Sequence, residues 1–85
     1  MSDLSRFRKQ YAQAAGRVGR WERELDELRD EYRQAGQGER PEITRRGQRL
    51  HLVLDDAKRD LERARQRLRA EEERLLQPGA MLRFT

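Results

Sequence analysis

From Leu4 to Ala35, apolar or small residues recur at alternating spacings of three and four without a miss. They are Leu4, Phe7, Tyr11, Ala14, Val18, Trp21, Leu25, Leu28, Tyr32 and Ala35. A mean spacing of about 3.5 puts them in one stripe along a helix, the seam of a coiled coil. Leu4, Tyr11, Val18, Leu25 and Tyr32 take heptad position a, and the others take d. A second stripe runs Ile43, Gly47, Leu50, Leu54, Ala57, Leu61, Ala64, Leu68, Glu71, Leu75. Here Gly47, Leu54, Leu61, Leu68 and Leu75 are a, and the rest are d.

Between the stripes lies Gly36-Gln37-Gly38-Glu39-Arg40-Pro41. Glycine suits the end of one helix and proline the first turn of the next. A short connection makes the two helices antiparallel neighbours. The expected fold is all-α: an antiparallel two-helix coiled-coil hairpin that self-associates into a helical bundle. One domain is expected, with a helix over about 3–35, a turn over 36–42, a helix over about 43–77 and a C-terminal tail over 78–85. Ser2 or Asp3 is the expected N-terminal cap.

Antiparallel packing sets a against d of the partner helix. The preferred register pairs residues whose numbers sum to 75. It matches Tyr32 with Ile43, Leu28 with Gly47, Leu25 with Leu50, Trp21 with Leu54 and Val18 with Ala57. Several layers then set a large side chain against a small one, which fills space evenly. A half-heptad slip would instead put Tyr32 on Leu50 and Trp21 on Leu61.

Composition fits this economy. Only 34% of the 85 residues are hydrophobic and 42% are charged, so one seam is all the apolar material can supply. The charges fall in blocks. Arg6, Arg8 and Lys9 begin the first stripe, and Glu22 to Glu31 is mostly acidic. The second stripe read backwards gives Glu71, Glu72 and Glu73, then Asp55 and Asp56, then Arg45, Arg46 and Arg49. Folding back brings opposite signs together, which selects against a parallel pairing.

Function classes narrow by subtraction. Without cysteine there is no disulfide and no thiolate metal site. One histidine, His51, rules out an ordinary zinc site. Ser2 and Ser5 are the only serines, and the hairpin holds Ser5 far from His51, so no catalytic residues are assigned. His51 is expected to flank the seam. Neither Gly16 with Gly19 nor Gly36 with Gly38 has the strand context of a phosphate loop. The acids Asp55-Asp56 and Glu71 to Glu73 are expected in ion pairs, and no metal or cofactor is assigned. No apolar run reaches the ~18 residues of a membrane span, and no secretory h-region is present, so a cytoplasmic protein is expected.

Two binding classes remain. A hairpin seam is covered on one side only, so protein partners, including a second copy, are expected. Candidate contact residues are the small strip Ala12, Ala15, Gly16 and Gly19, then Trp21, then Leu52 and Val53 off the seam. The strip also has a plain reading as a weak point or kink, since each glycine costs about 1 kcal/mol in a helix interior. Met81, Leu82 and Phe84 of the tail would either dock a partner or fold back over Leu4, Phe7, Leu75 and Leu76. The alternative class is nucleic acid. Eighteen of the 20 basic residues are Arg, and Arg59, Arg63, Arg65, Arg67 and Arg69 crowd the second helix. Asp60 and Glu62 interrupt that run, and a GC-rich genome also favours Arg.

In shape the hairpin resembles two groups of bacterial coiled coils. One is the stalk proteins of type III export ATPases. The other is the transcript-cleavage factors that enter the RNA polymerase secondary channel, which carry acids at the hairpin tip. Glu39 and Glu42 lie at the tip here, beside Arg40, Arg45 and Arg46. The heptads alone carry the resemblance, and it implies a fold without a function.

Overall fold

The computed structural model describes residues 3–76. Two helices make the fold: α1 over Leu4–Gln34 and α2 over Arg40–Leu75. They pack against each other as an all-α helical hairpin. At 1.5 Å per residue α2 is roughly 54 Å long.

The seam is the expected one. Ala14, Val18, Leu25 and Leu28 of α1 are buried, as are Ile43, Leu54, Ala57 and Ala64 of α2. Val18, Leu25, Leu54 and Ala57 form the central cluster, with Trp21, Leu50 and Leu61 packed against it. The register is visible in single contacts. A Cβ built on Gly47 would lie 3.5 Å from Leu28 Cδ2. Residues at one height therefore have numbers summing to about 75, and the slipped alternative is excluded. Among the described residues no large side chain is completely buried. Two helices have too little depth for that.

The corner departs from expectation in two ways. First, α2 begins at Arg40, so residues 40–42 belong to the helix and the connection is only 35–39. Pro41 sits in the first turn, where its missing N–H is no loss. Second, no described glycine has a positive φ. Ala35 ends α1 in extended backbone, at φ −78° and ψ 148°. Its N–H donates to the Tyr32 carbonyl at 3.3 Å, and the Glu39 N–H donates to the Gly36 carbonyl at 3.0 Å. The Arg40 guanidinium stacks over the Tyr32 ring at 4.9 Å and ties α2's start to α1's last seam residue.

Charge pairing is more local than the blocks suggested. Arg29–Asp26, Arg33–Asp30, Arg59–Asp56, Arg63–Asp60 and Arg69–Glu73 all lie within one helix, three or four residues apart. Among the described residues one ion pair crosses the hairpin, Arg46 to Glu31 at 3.1 Å. Long arginines at helical spacing find the acid on their own helix before they span the seam.

Gly47 offers a direct check on this packing. A methyl group there would make ordinary van der Waals contact with Leu28. Gly47→Ala is expected to raise the unfolding free energy by about 1 kcal/mol, the helix-interior difference between the two residues. Urea titration followed by circular dichroism measures it, and a lower midpoint would contradict the register.

Candidate functional site

Heptad geometry gives the hairpin two flanks and two backs. Positions e of both helices share one flank, and positions g share the other. The flanks differ. Along the e flank, Gly47 leaves a notch beside Leu28, and the notch widens into a groove of about 240 Å³ near the corner. Leu25, Leu28, Tyr32 and Ile43 form its apolar wall, with His51 at the rim. Tyr32 is 40% exposed, so the groove is open along its length.

Farther from the corner the same flank turns acidic. Glu22, Asp26 and Asp55 border a shallow depression, joined by Arg29 and Lys58. Beyond them come Ala12, Ala15 and Gly16, all exposed, with no atom within 4 Å of where a Gly16 Cβ would stand. At the open end Leu4, Arg8, Glu72, Leu75 and Leu76 line a third depression. Leu75 and Leu76 are 43% and 68% exposed there.

The expected contact residues do not form one patch. Ala12, Ala15, Gly16 and Gly19 follow one stripe toward the e flank, with Gly19 half-buried against the Arg23 side chain. Trp21 is half-buried on the central cluster, its ring covered by the Arg20 guanidinium at 5.2 Å. Val53 lies on the opposite, g flank beside Arg46, Arg49 and Leu50. Leu52 occupies position f, the back of α2, at 67% exposure. It does not widen the seam, because position f points away from the partner helix, and a single exposed leucine is ordinary. Met81, Leu82 and Phe84 lie outside the described residues, as does Ser2, one of the two expected caps; the N-cap is Asp3.

Two features escaped the sequence. One is the groove, whose cue was a glycine at a seam position. The other is what holds Glu71, which the stripe put at d and which is buried there. Arg74 grips its carboxylate with two donors, Nε at 3.1 Å and Nη2 at 2.5 Å. The Asp3 backbone N–H also donates to it, and the Arg74 hydrogen bonds together with that donor hold the carboxyl below its ordinary range despite burial. Asp3 makes no side-chain cap of its own and pairs with Arg6 at 3.5 Å. A carboxylate from α2 therefore closes the start of α1, where the helix dipole favours negative charge.

The remaining chemistry is sparse. Ser5 lies in the first turn of α1 while His51 sits near the height of Glu24, roughly 28 Å away along the axis. Among the described residues no three of His, Asp and Glu gather as metal ligands do. At the tip Glu42 is engaged by Arg45 at 3.4 Å and Arg49 at 3.7 Å. No protein-family model, curated protein or solved structure matches the chain.

Proposed function

We propose that the chain is a non-enzymatic protein-interaction module of the cytoplasm, a small coiled-coil adaptor or assembly component. The observation that carries this reading is the apolar groove at the corner, left open by Gly47 and walled by seam residues that a third helix would cover. Hairpins that expose a seam in this way gain a layer by packing on another helix. No described helix is long and apolar enough to cross a membrane.

The test is retention of protein partners on the immobilised chain, compared with a His51→Glu variant. His51 is exposed at the groove rim, so the substitution adds a charge there and leaves the seam intact. Partner retention is expected to fall at least tenfold on the basis that an apolar contact desolvates the new carboxylate. Equal retention by both forms, or none by either, would remove the reading.

Nucleic-acid binding is the second reading, favoured by the arginines of α2. Four of the five in its crowded run, Arg59, Arg63, Arg65 and Arg69, are within 4 Å of an acid on the same helix. Phosphates would have to displace those partners. Retention on DNA or RNA columns is expected to show a salt slope near zero, where each neutralised phosphate would add about −0.9.

A further inference from the structure

The corner groove and the exposed Leu75–Leu76 end lie on the same flank at opposite ends of the hairpin. We infer that a second copy of the chain packs antiparallel along this flank, its Leu76 end seated on the corner groove of the first. The inference rests on the interaction role proposed above and names its partner, face and polarity.

Residues 77–85 do not reach the groove from Leu76. Gly47 and Leu76 are 29 residues apart along α2, about 44 Å of helix. The nine residues 77–85 reach about 32 Å when fully extended. A second copy laid antiparallel brings its own α2 end to that place.

The charges fit the same arrangement. Seating Leu76 at the height of Tyr32 places the two-fold axis near Ala15 and Gly16 of α1. Glu22 of each copy then meets Arg8 of the other, α1 on α1. On α2, Asp55 meets Arg65 and Lys58 meets Glu62, because the two-fold sets each helix on its own copy. Every one of these matches opposite signs. A parallel pairing would set α1 on α2 of the other copy, stacking Glu22 on Asp55 and Arg8 on Arg65, which repels. The residues at the axis are small, so the backbones can approach closely. The available face is also large enough. Two helices side by side along 54 Å cover on the order of 1,000 Å², against ~800 Å² per partner in a standard interface.

The chain has no cysteine, so single cysteines report contacts cleanly. Sedimentation of the full chain at about 100 µM is expected to give a dimer. Under mild oxidation Ala15→Cys is expected to cross-link to itself. Asp55→Cys and Arg65→Cys are expected to cross-link only when mixed. Leu76→Glu, at an exposed helix end, is expected to weaken the dimer at least tenfold with helicity unchanged. Linking of Glu22→Cys to Asp55→Cys between copies would mean a parallel dimer and overturn the inference. So would a monomer in sedimentation, whether a tail, an unrelated partner or nothing covers the groove. A monomer that still retains other proteins leaves the interaction role standing, whereas one that retains none ends both.

Discussion

Leu54→Ala is expected to lower the unfolding free energy by about 2–5 kcal/mol, the range for removing a large buried aliphatic side chain. Leu54 is 5% exposed and belongs to the central cluster with Val18, Leu25 and Ala57. A two-helix seam cannot close over the space left behind, because each layer holds one residue from each helix. Small domains hold only a few kcal/mol in reserve, so this one change consumes much of it. With 4–8 °C of melting shift per kcal/mol for domains of this size, a drop on the order of 8–40 °C is expected. Leu52→Ala is the control. It removes the same atoms two residues away from a side chain 67% exposed, and is expected to stay within about 0.5 kcal/mol. Thermal melts of the two variants by circular dichroism decide the matter. Equal losses would mean that the seam does not hold the fold.

The second large effect concerns Glu71 and acid. Its folded carboxyl is held below the ordinary value of 4.5, chiefly by Arg74 and with help from the Asp3 N–H. In the unfolded chain those donors are gone, so the carboxyl there takes up its proton first as pH falls. The stabilisation is complete above about pH 5, begins to fade near 4.5, and is lost as pH drops through the depressed folded value. Glu71→Gln is expected to be less stable than the parent at pH 7 and to approach it at pH 3. Glu71→Leu completes the apolar stripe but strips Arg74 and the Asp3 N–H of their acceptor. Urea midpoints of the parent and Glu71→Gln between pH 3 and 7 test this. A gap that stays constant with pH would show that Glu71 acts by packing alone.

How far the sequence carried the fold can be judged residue by residue. Heptads place every buried residue of α1 and α2 on the seam, because a stripe of 3.5 spacing has one way to hide from water. The Leu28–Gly47 layer was legible too, since large opposite small is a packing rule that works on paper. What was not legible depended on competition between neighbours. Whether Arg59 reaches across the seam or turns to Asp56 is decided by side-chain length and distance, and the near acid wins. Glu71 looked like one member of an acidic run. Its role appears only when the register sets it beside the first residue of α1, with Arg74 one turn away. Leu52 and Val53 looked like one patch because they are adjacent. A helix turns 100° per residue, which sends one to the back and the other to the g flank. The interaction surface was legible as a class, a half-covered seam, while its location depended on a missing side chain at Gly47.

The connection over 35–39 asks nothing of its residues beyond brevity. It needs no left-handed glycine, and the register is set by layers such as Leu28 on Gly47 rather than by the bend. Closure entropy grows so slowly that doubling such a loop costs only about 0.6 kcal/mol. The bend is therefore the natural insertion point for a reporter peptide or an extra module. Cargo placed there would ride at the far end of a stiff arm roughly 50 Å from the Leu4–Leu75 end of the hairpin.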